Sequence, residues 1–212
     1  MDDVLLPVQL WSQAPKALFR WVAPHPQWRP TPHDEGPDDW EQLVGSLLYE
    51  LPEVAVLIDP LLPAVGRERF LAWLDERIGA RRVSILTTIR WHRRDRDELA
   101  GRYRRAGGPA WNAVPHGVVP KPLRGAGETL YWLADAKSLV AGDRLLGDGR
   151  GGLRLCPDSW LREASVDRRG LARLMRPLLE LPIERVLVSH GEPVLHDGRA
   201  ALAHAIREAE GG

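Results

Sequence analysis

The sequence predicts an α/β fold in which two sheets form a sandwich with helices outside. Three observations carry this reading. The N-terminal part alternates apolar and polar residues in short runs, the pattern of locally paired antiparallel strands. Further along, short apolar strands alternate with segments of helical period, as in sheets covered by helices. Finally, three stretches run from a short apolar strand into a polar loop. Val83–Asp97 carries His92, Val140–Asp148 carries Asp143, and Arg185–Pro193 carries His190. Chemistry gathers at such points because a rigid strand aims the side chains of the loop that follows it.

The elements follow in order. Leu5–Val22 reads as an antiparallel strand pair. Ala23–Trp40 holds five prolines and is too proline-rich for a helix or a central strand. Trp28 and Trp40 within it argue for order, since aromatic side chains bury large areas. Such a loop is either functional or packs on its own tryptophans. Strands at Leu43–Glu50 and Val54–Ile58 are joined by the Leu51-Pro52-Glu53 turn, and Asp59-Pro60 ends the second. Between Gly66 and Ile78 the residues Phe70, Leu71, Trp73, Leu74 and Ile78 recur at helical spacing. Val83–Leu86 is the next strand, and Glu98–Arg105 the next helix.

After the Gly107-Gly108 break, Ala110–Val114 reads as a strand and Pro115-His116-Gly117 as a turn. Thr129–Leu133 and Ser138–Ala141 flank four residues of turn composition, which makes a hairpin. Gly147–Trp160 reads as loop. Asp167 is placed to cap a helix bearing Leu171, Leu174, Met175, Leu178 and Leu179 on one face. Arg185–Val188 is the last strand, and Asp197 precedes the last helix, Gly198–Glu208.

At 212 residues the length fits one α/β domain, residues 1–212. The 29 basic and 29 acidic residues balance, so no nucleic-acid partner is expected. All the basic residues are arginine except Lys16, Lys121 and Lys137. A single cysteine, Cys156, excludes an internal disulfide and a cysteine-rich zinc site, and it reads as an unreactive thiol. No apolar run approaches the ~20 residues of a membrane span, and no basic-then-apolar leader opens the chain. The expectation is a soluble, cytoplasmic protein with no membrane partner.

The order of these motifs resembles the metallo-β-lactamase fold superfamily over nearly the whole chain. The residues that carry the resemblance are VAVLIDP (Val54–Pro60), the loop around His92, GAGETLYWL (Gly125–Leu133), the Gly142-Asp143 pair, and Ser189-His190-Gly191. The resemblance implies a four-layer αββα sandwich whose loops bind one or two metal ions, usually zinc, for hydrolysis. The family's H-x-H-x-D-H loop aligns here in two registers. One lays Arg90, His92, Arg94 and Asp95 on its four positions. The other, anchored on Leu86-Thr87, puts His92 at the aspartate position. Glu128 stands where the G-H-T segment has its histidine.

Three readings result. The first is a hydrolase with at most one zinc ion, held by some of His92, Glu128, Asp143 and His190. Asp143 or Asp95 would then serve as general base. Arg90 and Arg94 would meet an anionic small-molecule substrate, Trp28 and Trp40 would close over it, and Asp59 would orient a ligand from behind. A guanidinium has no lone pair to give, so neither arginine can ligate. The second reading is therefore a metal-free protein in which arginine replaces the ion's charge and binds an anion. The third is a structural or interaction protein without catalysis.

Overall fold

The computed structural model describes residues 7–29, 40–104 and 112–211. The chain divides into two compact units, each built on its own sheet.

The first unit opens with a hairpin of β1 (Val8–Gln13) and β2 (Lys16–Pro24), as the alternating pattern predicts. Strand β3 (Leu43–Glu50) pairs with β2 and with β4 (Val54–Ile58), and both pairings are antiparallel. Helix α1 (Arg67–Ile78) then returns the chain, so that β5 (Arg82–Leu86) pairs parallel with β4. The sheet order is β1-β2-β3-β4-β5. Phe70, Leu74 and Ile78 of α1 pack on Phe19, Trp21, Leu48, Leu57 and Ile85. Every residue of β4 is buried, which is why that strand reads as an unbroken apolar run. Helix α2 (Arg96–Arg102) adds Leu99 and Ala100 to the same core. It begins and ends a few residues before the span expected from its pattern.

The second unit holds a four-stranded sheet of order β11-β8-β7-β6. Its strands are β6 (Val118–Leu123), β7 (Glu128–Leu133), β8 (Ser138–Ala141) and β11 (Arg185–Val188). Strands β6, β7 and β8 pair antiparallel, and β11 runs parallel to β8. Helices α3 (Arg168–Met175) and α4 (Gly198–Gly211) pack Leu171, Met175, Leu202 and Ile206 into a core with Leu130, Leu139, Val186 and Val188. Asp167 caps α3, its side chain accepting the Gly170 N–H.

Two sequence expectations are corrected here. Residues 112–114 of the expected Ala110–Val114 strand are irregular, and 110–111 lie outside the described residues. The strand instead starts at Val118 and contains Pro120 and Pro122. It lies at the sheet edge, and prolines two apart leave their missing N–H groups on one side, where no ladder bond is needed. The expected Gly147–Trp160 loop instead forms the turn and second strand of a small hairpin of β9 (Leu145–Gly147) and β10 (Leu153–Leu155). The Asp148 carboxylate holds its turn by accepting the N–H groups of Arg150 and Gly152 at 2.7 and 2.8 Å. Three-residue strands around a glycine-rich turn are too short to show a period. No described helix is long and apolar enough to cross a membrane.

Candidate metal centre

Parallel pairing brings strand ends level, and both units use it. In the first, Ile58 of β4 stands opposite Leu86 of β5, and the Asp59 N–H donates to the Leu86 carbonyl at 3.0 Å. Asp59 is thereby held beside the loop that follows β5. Its carboxylate lies 2.9 Å from His92 Nδ1, and both side chains are buried. The Asp59 carbonyl accepts Ser46 Oγ and Arg94 Nη1, each at 2.8 Å. Arg94 Nη1 also donates to the Gly45 carbonyl, while its Nη2 lies 3.5 Å from His92 Nε2. Asp59 and Arg94 both have positive φ, 48° and 41°. Non-glycine residues there are uncommon and persist where their surroundings over-determine them, as these bonds do.

In the second unit Val188 of β11 stands opposite Ala141 of β8. Asp143 and His190 each lie two residues beyond that pair, so the register itself juxtaposes them. His190 Nε2 is 3.1 Å from Asp143 Oδ1, and both are nearly inaccessible to solvent. The rings of Trp40 and Trp160 stand edge-on to the His190 ring, each with centroids 5.5 Å apart. Behind Asp143, Glu128 at the start of β7 accepts three main-chain N–H groups. Its Oε1 takes that of Gly142 at 2.9 Å, and its Oε2 takes those of Asp143 and Arg144 at 2.8 and 2.9 Å. Burial, and next the charge of Asp143, raise the Glu128 carboxyl to about 7 against the pull of those three N–H groups. Gly142 is required at this turn, because a Cβ there would stand 2.3 Å from Thr88 Oγ1 and 3.3 Å from Glu128 Oε2. Arg144 is buried as well, donating from Nε to the Ala126 carbonyl and from Nη1 to the Trp160 carbonyl, both at 2.8 Å.

His92, Asp143 and His190 together form a buried group whose ligand atoms, one from each residue, all lie within 4.8 Å of one another. Two imidazoles and a carboxylate are a donor set suited to zinc, which needs at least three protein ligands in a catalytic site. Asp59 on His92 Nδ1 is the usual support of such a ligand, since it fixes the tautomer with the Nε2 lone pair available.

The remaining expected site residues fall elsewhere. Glu128, expected as a possible fourth ligand, accepts main-chain N–H groups with both of its oxygens. Asp95, expected as a candidate general base, stands at the N-terminal end of α2. Its Oδ2 accepts the Leu62 N–H at 2.6 Å, and its Oδ1 lies 3.7 Å from Arg67. Arg90 is exposed and ion-paired with Glu163, also exposed. Trp28 is partly buried, and its main-chain N–H donates to the His25 carbonyl. Trp40 meets His190 as described, and 30–39 of the expected covering loop lie outside the described residues. Trp160 was missed by the sequence reading, which left it at the end of a loop. Cys156 is buried, which pushes its thiol up to about 12 and leaves it unreactive.

Neither a family model nor a curated protein matches this chain at the level of sequence. Solved structures do match its fold. The DIM-1 metallo-β-lactamase superposes with a TM-score of 0.58 at 14% identity, covering 99% of this chain and 99% of that one. VMB-1, in a structure at pH 5.5, gives 0.58 at 12% identity, covering 98% of each chain. A metallo-β-lactamase from Pontibacter korlensis gives 0.56 at 12%, covering 97% of this chain and 100% of that one. The chain thus has the α/β sandwich of the metallo-β-lactamase type, in a divergent sequence. Inside that fold lies a His-Asp-His group able to hold a metal ion.

Proposed function

We propose that this protein is a metal-dependent hydrolase working with one divalent cation, zinc by its donor set, held by His92, Asp143 and His190. The observation that carries the proposal is the convergence of those three buried side chains. When bound, such an ion supplies Lewis acidity toward a carbonyl or phosphoryl oxygen and activates water near neutral pH. The protein's own residues prepare for it. Asp59 sets the His92 tautomer, and the backbone register aims Asp143 and His190 together. Trp40 and Trp160 flank His190 with apolar edges that limit water at the ligand. The substrate we assign is a small molecule with an anionic group, for which the Arg94 guanidinium is the cationic partner.

Both alignments of the family loop place arginine at ligand positions, and one of them is anchored on Leu86-Thr87. In that register Thr88 and Arg90 occupy the loop's first two histidine positions, and neither can act as an imidazole ligand. One ion rather than two follows from this.

A second reading has one observation in its favour. Arg94 Nη2 lies 3.5 Å from His92 Nε2, so a guanidinium stands where a cation's charge would otherwise act. The protein would then bind an anion without metal. Calorimetric titration of chelator-stripped protein with zinc separates the two. We expect one ion per chain, lost in His92→Ala and in His190→Ala. No binding to the unmutated protein would leave the metal-free reading.

A further inference from the structure

Glu128 holds the position of a ligand in the family motif, and in this chain its carboxylate points both oxygens at the turn that carries Asp143. We infer that Glu128 is a positioning residue for the metal site. By accepting the N–H groups of Gly142, Asp143 and Arg144, it fixes the direction in which the Asp143 side chain leaves the backbone. The inference rests on the proposed metal site and adds to it the element that presets its geometry.

Three features support it. The turn follows β8 directly, and Glu128 satisfies all three of these donors from β7. Gly142 cannot carry a Cβ without meeting Thr88 Oγ1 and Glu128 Oε2, so the turn, Thr88 and the carboxylate fit as one packed unit. The following residue, Arg144, is tied at the guanidinium to the Ala126 and Trp160 carbonyls, which holds the far side of the same turn. A ligand preset in this way binds its ion without ordering a loop, and supports behind metal ligands commonly change affinity ten- to a hundred-fold.

The test compares the unmutated protein with Glu128→Gln and Glu128→Ala, all stripped of metal. A glutamine oxygen can replace Oε2 for Asp143 and Arg144, but its amide NH2 faces the Gly142 N–H and cannot accept it. Amide hydrogen exchange should show protection at Gly142, Asp143 and Arg144 in the unmutated protein and loss of protection at Gly142 in the Gln variant. Zinc titration should give one ion for both, with affinity about ten-fold weaker or more in the Gln variant and weaker again in the Ala variant. The visible spectrum of the cobalt-loaded Gln variant should differ from that of the unmutated protein, a change that a loss of stability alone does not produce. Equal zinc affinity and an unchanged cobalt spectrum in the Gln variant would overturn the inference while leaving the metal site standing. Failure of the unmutated protein to bind zinc would remove the site and the inference together. If the Ala variant does not fold, the Gln variant decides.

Discussion

Asp59 and Glu128 show how differently two buried carboxylates can be used. Asp59 faces an imidazole and sits at the end of a parallel strand, where its own carbonyl is bonded twice. Glu128 faces main-chain N–H groups and the charge of Asp143, and burial raises it to about 7. That shift has a sign for stability. A carboxyl whose folded pKa exceeds its ordinary value near 4.5 binds more protons in the folded chain than in the unfolded one between those two pH values. Its stabilising contribution is full below about pH 4.5 and is lost as pH rises through about 7. The loss is roughly 3 kcal/mol in the metal-free protein, at about 1.4 kcal/mol per pH unit. Urea unfolding in chelator at pH 5 and pH 7.5 checks this. The difference in stability between the unmutated protein and Glu128→Gln should shift toward the Gln variant by that order as pH rises. Parallel curves would contradict it.

Among the elements, α1 is the clearest case of a periodic pattern read as a packed face. Phe70 and Leu74 are fully inaccessible, and the Phe70 ring packs at a tilt against Trp21 and Trp73 with centroids 5.1 and 5.6 Å away. The helix has no side-chain N-cap bond, so its packing outweighs its local signals. Phe70→Ala should therefore lower stability by about 3–5 kcal/mol, since the space between two indoles cannot collapse. Chemical unfolding measures this, and a loss below about 1 kcal/mol would mean that α1 is not held by this face. The β9-β10 hairpin is the opposite case. Its geometry depends on a close approach of Gly147 and Gly191, where a Cβ on Gly191 would meet the Gly147 Cα at 2.9 Å. Side chains are excluded there by a neighbour distant in sequence, which no local period reports.

For the molecule as a whole, the proposed metal site would link ligand binding to stability. An ion that binds only the folded chain adds about 2.7 kcal/mol at a free concentration one hundred times its Kd. For a chain of this size that corresponds to a rise in Tm of roughly 5–11 °C. Thermal unfolding with and without zinc should show the rise, and His190→Ala should abolish it. An unchanged Tm at saturating zinc would count against the single-ion site and for the charge of Arg94 in its place.

What could be read from the sequence alone follows from local interactions. The apolar runs at Leu43–Glu50, Val54–Ile58, Ser138–Ala141 and Arg185–Val188 match the observed strands, because strand and helix periods are set within a few residues. The order of the motifs carried the fold class, and the three strand ends marked His92, Asp143 and His190 as candidates. Tertiary structure decided the rest. The parallel register of β8 with β11 sets the distance between Asp143 and His190, and nothing local encodes a pairing across 47 positions. Glu128 reads as a ligand in sequence because a carboxylate can accept from any donor, and only the folded turn supplies three N–H groups to it. Trp160 reaches His190 from 30 residues away, and β6 tolerates two prolines only because it lies at an edge. The sequence determined which residues were available, and long-range packing determined which partner each one met.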